Sequence, residues 1–230
     1  MIDIRPFASL GHARHGWLDA RHHFSFGGYH DPARMGWGAI RVWNDDRIAP
    51  HSGFPPHPHR DMEIITYVRS GAISHEDSLG NKGRTKAGDV QVMSAGSGVI
   101  HAEYNREDVE TTLFQIWIET DRPGVAPSWG MKPFPKEARQ DSLQLLASGE
   151  RSDGALDIHA DARVYGATIV KGGTIEHAAD PARHYYLVPS GRIEVNGVEA
   201  GARDGVAIHG ESAIQIHAME DVELVLVDAR

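Results

Sequence analysis

The chain has 230 residues, a formal net charge of −9 and a hydrophobic fraction of 40%, which are values of an ordinary globular protein. The acidic excess argues against direct nucleic-acid binding, and the absence of cysteine excludes disulfides and thiolate chemistry, so a metal would need His, Asp or Glu ligands. No segment has the roughly 20 apolar residues that a membrane span needs, and the first residues lack the apolar stretch of a secretory signal, so a cytoplasmic location is expected.

Short apolar segments rich in Val, Ile and Tyr recur along the chain and predict β-strands. They cover residues 39–43, 62–68, 90–93, 113–118, 164–170, 185–188, 193–195, 206–208, 213–216 and 222–227. Turn signals such as Ser70-Gly71 and Asn196-Gly197 separate them. Short strands with frequent turns favour an all-β barrel or sandwich.

Helical periodicity is weak along the whole sequence. The best candidate helix covers residues 135–146, although its residues 143–145 are equally compatible with a strand. Several prolines and charged residues between positions 121 and 141 indicate a connection between two halves. We therefore predict two domains, residues 1–130 and 131–230.

Two pairs of metal-competent side chains have the spacing of neighbours on one face of a strand. They are His57 with His59, and His101 with Glu103. Three imidazoles and a carboxylate that converge from two strands would bind a divalent transition metal such as iron, manganese, nickel, copper or zinc. Glu63 lies four residues after His59 and would share its face on an unbroken strand, so it is a second candidate carboxylate.

The two halves of the chain look like copies of one another. Counting back fourteen residues from Gly71 and from Gly191, each of which ends a β run, reaches His57 and His177 respectively. The corresponding alignment of the last motif pairs His101 with His217. The partners are not repeated, since His59 corresponds to Ala179 and Glu103 to Met219. A duplication in which only the first copy keeps four ligands predicts one competent metal site.

The segments around both pairs resemble the two cupin motifs. They read Gly53-x3-His57-x-His59-x3-Glu63-x7-Gly71 and Gly88-x7-Gly96-x4-His101-x3-Asn105. The second motif departs from the usual form by two extra residues before the histidine and by Ser94 in place of proline. These departures, together with the strings HFSFGGYHDP, GFPPHPHRDMEIITYV and GDVQVMSAGSGVIHAEYN, are similar to the pirin family. The resemblance is dense from residue 12 to residue 105 and fainter beyond.

The resemblance implies an all-β bicupin fold with one metal in the N-terminal domain. The implied ligands are His57, His59, His101 and Glu103, which leaves Glu63 outside the ligand set. Iron is the metal implied by the family, and manganese, nickel, copper, cobalt or zinc are also compatible with cupin sites.

Two functions follow from the same resemblance. Bacterial pirins of this kind are flavonol 2,4-dioxygenases that cleave quercetin with O2 and release carbon monoxide, and in such an enzyme Glu103 could accept the proton of the 3-hydroxyl group. Pirins of nuclei are iron-dependent transcriptional co-regulators. The alternative is therefore a metal-responsive regulatory protein that acts through a protein partner.

Other notable side chains have simpler interpretations. His75-Glu76-Asp77 is predicted to be an acidic hairpin loop rather than a second metal site, and His22-His23 to pack at a barrel rim. His177 and His217 are interpreted as relics of the duplication. Core packing rather than a substrate cavity is predicted for Phe24, Phe26, Trp43, Phe54 and Met93.

Overall fold

The computed structural model describes residues 1–150 and 154–230, which form β-strands joined by turns and three short 3-10 helices. The strands are β1 (Ile2–Arg5), β2 (Gly11–Arg14), β3 (Leu18–His22), β4 (Ile40–Ile48), β5 (Ser52–His59), β6 (Met62–Ser70), β7 (Ala72–Asp77), β8 (Lys82–Lys86), β9 (Val90–Ser94), β10 (Val99–Asn105), β11 (Thr111–Glu119), β12 (Ser128–Lys132), β13 (Gln144–Ser148), β14 (Leu156–Asp157), β15 (Ala162–Ile169), β16 (Thr174–Ala178), β17 (His184–Pro189), β18 (Ile193–Val195), β19 (Val198–Ala200), β20 (Gly205–His209), β21 (Ala213–Ala218) and β22 (Val222–Ala229). The 3-10 helices are Phe7–Ser9, Pro32–Arg34 and Lys136–Arg139.

The strands form two pairs of sheets, each pair with seven strands in one sheet and four in the other. The first pair has the orders β12-β9-β6-β11-β4-β3-β2 and β5-β10-β7-β8. The second pair has the orders β1-β20-β17-β22-β15-β13-β14 and β16-β21-β18-β19. The predicted all-β architecture of two similar domains is confirmed.

The candidate helix at residues 135–146 is wrong except for its first turn. The structure has the 3-10 helix Lys136–Arg139, which no side chain caps, and then strand β13. A strand forms here in place of a helix because β13 pairs with β15, and this pairing buries Leu146 in the core between the domains.

Both ends of the first domain are bound into a sheet. β1, at the start of the chain, pairs with β20 of the second domain, from Ile2 opposite Ile208 to Arg5 opposite Gly205. β12 pairs with β9 of the first domain, and residue 130 lies within it. The division after residue 130 stays a prediction.

The core between the domains lies between the two large sheets. Phe24, Trp43 and Tyr67 of the first domain pack there with residues such as Val164 and Tyr186 of the second, all of them buried. Because side chains alternate along a strand, the other residues of β6, Ile64, Thr66 and Val68, face the interior of the first domain. The large sheet thus separates the domain interface from the interior in which the candidate site lies.

None of the helices in the described part of the chain has the length and apolar character needed to cross a membrane.

Candidate metal centre

Three of the four predicted ligands converge on one point inside the first domain. His57 lies directly opposite His101 where β5 pairs with β10, and His59 follows on the same face of β5. The ring centroids are 4.8 Å apart for His57 and His59, 4.5 Å for His57 and His101, and 4.9 Å for His59 and His101. One nitrogen from each ring lies within 4.8 Å of the other two.

The sequence of β5 explains why its histidines are free to face inward. β5 is at the edge of its sheet, where its one neighbour is β10. Pro55, Pro56 and Pro58 have no amide hydrogen to donate, and on the open side of an edge strand no hydrogen bond between strands is lost. The pairing shifts register after His101, since Glu103 lies opposite Phe54. Such a bulge turns side chains away from regular alternation.

Burial and hydrogen bonding favour the lone-pair-bearing forms of these histidines in two different ways. Burial, reinforced by the neighbouring imidazoles, lowers the pKa of His101 to about 2 and that of His59 to about 4. The Nδ1 atom of His57 is 2.7 Å from the carbonyl oxygen of Pro55, to which it can donate only as Nδ1–H. The Nε2 lone pair of His57 then points toward the other two rings.

The spacing of the nitrogens fits a transition-metal ion. The Nε2 atoms of His57 and His101 are 3.0 Å apart. Two neighbouring ligands at right angles on an ion, with metal–nitrogen bonds of about 2.1 Å, lie about 3.0 Å apart. The group therefore has the donor type and spacing of a divalent transition-metal site.

Glu103 lies beside this group and is held by three side chains. Its carboxylate accepts hydrogen bonds from Gln91 Nε2 at 2.6 Å, Gln115 Nε2 at 2.7 Å and Thr66 Oγ1 at 3.3 Å. Burial raises the pKa of Glu103 to about 7, although these bonds oppose the shift. Glu103 groups with His75 and His101 within 4.8 Å, whereas His57 and His59 group with His101 alone.

Glu63 lies on the other side of the large sheet. Its carboxylate accepts a hydrogen bond from Ser94 and is 4.0 Å from Nδ1 of His159, a residue of the second half of the chain. The strand is not continuous from His59 to Glu63, because a turn with Asp61 at a φ of 48° reverses the chain. The alternation of facing sides therefore does not carry over from His59 to Glu63.

Sequence reasoning missed several residues around the site. The predicted acidic hairpin loop at residues 75–77 is wrong: these residues end strand β7, and His75 is buried next to His101. The spacing of His75 and Asp77 repeats that of the proposed ligand pairs and was the available signal. Gln91 and Gln115 gave a weaker signal, since each is a polar residue at an inward-facing position of an otherwise apolar strand.

The remaining histidines lie elsewhere. His22 is buried and its Nδ1 is 2.7 Å from Oδ1 of Asn44, while His23 contacts the Tyr186 hydroxyl at the domain interface. In the second domain, His177 packs against Tyr165 and His217 contacts Thr174. Within residues 1–150 and 154–230, groups of three potential ligands occur only in the first domain.

A cavity of about 280 Å³ lies against two of the three histidines. Its walls are mostly apolar, and His57 and His59 form part of them. The lining residues are Leu18, Ala20, His22, Phe26, Asn44, Asp46, Phe54, Pro55, His57, His59, Gln115 and Trp117. Core packing was thus the wrong prediction for Phe26 and is confirmed for Phe24, Trp43 and Met93. Phe54 both lines the cavity and packs against a buried core cluster.

Comparison with known proteins agrees with this architecture. The family model described as Pirin matches residues 4–118, and the model described as Quercetinase C-terminal cupin domain matches residues 145–229. This chain belongs to the pirin family. The predicted pirin resemblance and bicupin organisation are thereby confirmed.

Relatives of this pirin match it over nearly its whole length. The pirin-like protein of Caulobacter vibrioides is 63% identical over 231 residues, covering 100% of both chains. The quercetin 2,3-dioxygenase of Escherichia coli K12 is 44% identical and covers 99% of this pirin and 98% of its own length. The crystal structure of the E. coli pirin YhhW in complex with nickel(II) matches with a TM-score of 0.94 and 43% identity, covering 100% and 99% of the two chains.

Proposed function

We propose that this pirin is a metal-dependent dioxygenase that cleaves a flavonol such as quercetin with O2. The observation that carries the proposal is the convergence of three imidazole nitrogens within 4.8 Å of one another, two of whose rings line a mostly apolar cavity. The E. coli relative named quercetin 2,3-dioxygenase supports the substrate class.

His57, His59, His101 and Glu103 are the residues proposed to hold one divalent ion, with iron as the proposed metal. The nickel(II) complex of the related E. coli pirin shows that this fold accepts a divalent ion of similar size and ligand preference. When bound, the ion supplies Lewis acidity and open coordination positions to the reactants.

Glu103 is the proposed base for the 3-hydroxyl group of the flavonol. A carboxyl group whose pKa is about 7 exchanges protons readily near neutral pH. Gln91 and Thr66 both donate to Oε1 of Glu103, whereas Gln115 alone of the three donates to Oε2, so Oε2 keeps a second lone pair for a substrate proton. The two glutamines thus fix the orientation of Glu103 without using all of its capacity as an acceptor.

The cavity walls suit a flat aromatic substrate. The Phe26 ring meets Trp117 edge to face at 5.3 Å, and Trp117 in turn contacts the His59 ring at 4.9 Å. Phe54 adds a further aromatic surface near His57, at 6.4 Å between centroids. These rings exclude water and restrict the orientation of a bound flavonol relative to the histidines.

The test is turnover under controlled metal loading. The metal-free protein is loaded anaerobically with Fe(II) or Ni(II), and quercetin and O2 are then added while quercetin absorbance and carbon monoxide are followed. Ring cleavage well above the rate with free metal is expected, and Glu103→Gln should abolish it while the surface variant Glu107→Gln leaves it unchanged. Quercetin loss no faster than with free metal would overturn the proposal and favour the regulatory alternative.

A further inference from the structure

A buried histidine outside the proposed ligand set lies directly behind His101. His75 is 1% exposed and belongs to β7, the strand that pairs with β10 on the side away from β5. Its Nδ1 is 3.4 Å from Nδ1 of His101, and its Nε2 is 3.2 Å from Oδ2 of Asp77. The three side chains thus form a line that starts at Nδ1 of His101, whereas Nε2 of the same ring faces His57.

Asp77 lies at the far end of this line, and its carboxylate acts there as a hydrogen-bond acceptor. The Asp77 carboxylate accepts from the backbone amides of Leu79 and Asn81 at 2.9 and 3.0 Å and from Asn81 Nδ2 at 2.8 Å. Three N–H donors already point at this carboxylate, as fits the ionised form, which can only accept. An ionised Asp77 requires His75 to carry its proton on Nε2.

The direction of the remaining hydrogen bond follows from that proton. A neutral His75 with Nε2–H has a lone pair on Nδ1, and so it accepts from Nδ1–H of His101. His101 then has its own lone pair on Nε2, the atom that lies 3.0 Å from Nε2 of His57. Every proton position in the line is therefore determined by Asp77.

We propose that Asp77 and His75 form a hydrogen-bond relay that holds His101 in the tautomer and orientation needed to bind the metal. His75 is a positioning residue in this relay. The proposal rests on His101 being a ligand, as the proposed function requires, and it concerns metal binding rather than turnover.

The ring of His75 is held in place by packing against its neighbours. Trp129 of β12 stacks on it with centroids 4.9 Å apart and planes 10° from parallel. Gly83 of β8 pairs with His75 across the sheet, and a Cβ at that position would overlap the Trp129 ring. The stack therefore requires glycine there, and it prevents the imidazole from rotating out of line with Asp77 and His101.

Two substitutions of His75 separate positioning from packing. His75→Phe keeps a flat ring under Trp129 but removes the acceptor, whereas His75→Asn places an amide oxygen at the topological position of Nδ1. Ni(II) affinity, measured by competition with a chromophoric chelator, should fall about 10- to 100-fold in His75→Phe. Most of the lost affinity should return in His75→Asn, and His177→Phe in the second domain should bind Ni(II) like the wild type.

A second measurement reports the tautomer directly. Imidazole 1H–15N correlation spectra of the metal-free protein should show His101 with its proton on Nδ1 and His75 with its proton on Nε2. His101 should become a mixture of tautomers in His75→Phe and in Asp77→Leu. Unchanged Ni(II) affinity in His75→Phe, no rescue by His75→Asn, or an Nε2 proton on His101 of the wild type would each overturn the relay. Since neither readout needs quercetin, an inactive protein with these properties would overturn the proposed function alone.

Discussion

At the scale of single residues, protonation decides whether the site is ready for a metal. His59 and His101 have pKa values of about 4 and 2 and are neutral at pH 7, whereas Glu103, with a pKa of about 7, still holds much of its proton there. If Glu103 is the fourth ligand, metal binding must displace that proton. The carboxyl group, rather than these two imidazoles, then governs the pH dependence of metal binding.

We therefore expect Ni(II) binding to release a proton from Glu103 at pH 6. Below pH 7 the affinity of the wild type should fall by up to about tenfold per pH unit, because the carboxyl group is increasingly protonated. Calorimetry in buffers of different ionisation enthalpy counts the released protons, and Glu103→Gln should release about one fewer. Equal proton release by both proteins would show that Glu103 is not a ligand.

The same carboxyl group should weaken the metal-free protein as the pH rises. The pKa of Glu103 is 4.5 in the unfolded chain and about 7 in the folded protein. The folded state is therefore most stable below pH 4.5, where the group is protonated in both states, and it loses stability as the pH rises to 7. At about 1.4 kcal/mol per pKa unit, the loss is about 3 kcal/mol. Urea unfolding of the wild type and Glu103→Gln at pH 5 and pH 8 should show the wild type losing this much more. Parallel pH profiles of the two proteins would contradict it.

At the scale of strands, alternation made part of the site predictable. His57 and His59 share a face because β5 is regular between them, and His101 lies directly opposite His57 before the register shift that precedes Glu103. The rule fails for Glu63, because the left-handed Asp61 ends one strand and starts another. A spacing of two residues predicts a shared face only within one continuous strand.

The surroundings of the ligands depend on which strands are neighbours, and the sequence does not show that. His75 and His101 are brought together by the pairing of β7 with β10, and Trp129 reaches His75 from a strand of the other sheet. Similarly, Gln91 and Gln115 lie on separate strands yet both contact Glu103. The sequence could mark these residues as inward-facing, but which of them meet is selected by tertiary packing.

The contact between β8 and β12 gives a prediction at this scale. Gly83→Ala should displace Trp129 from His75, since the added Cβ would overlap the indole ring. A loss of about 1–3 kcal/mol in unfolding free energy is expected, as for overpacking in a core, with a shift in tryptophan fluorescence. Gly28→Ala is the matched control, because a Cβ there meets nothing within 4 Å. Equal stability of the two variants would show that the stack is not tightly packed.

At the scale of the whole molecule, the two domains are joined by extensive packing. They share a core between their large sheets, and β1 crosses from the start of the first domain into the sheet of the second. The Arg5 guanidinium at the end of β1 lies 5.1 Å from the Phe24 ring and 5.6 Å from both the Trp37 and Tyr186 rings. Since each domain covers apolar surface of the other, we expect the protein to unfold in one cooperative transition.

A partly buried ionic cluster beside this interface gives the corresponding test. Glu223 of the second domain accepts hydrogen bonds from Tyr67, from Lys136 at 2.6 Å and from the fully buried Arg139 at 3.2 Å. Glu223→Gln leaves the Arg139 charge without its counter-ion, so a loss of about 3–5 kcal/mol in unfolding free energy is expected. Far- and near-ultraviolet circular dichroism should show the same single transition, shifted to lower urea concentration. Glu199→Gln, an exposed position, should change stability by less than about 0.5 kcal/mol. Two separate transitions in the wild type would mean that the interface does not couple the domains, and equal effects of the two substitutions would mean that the cluster adds no stability.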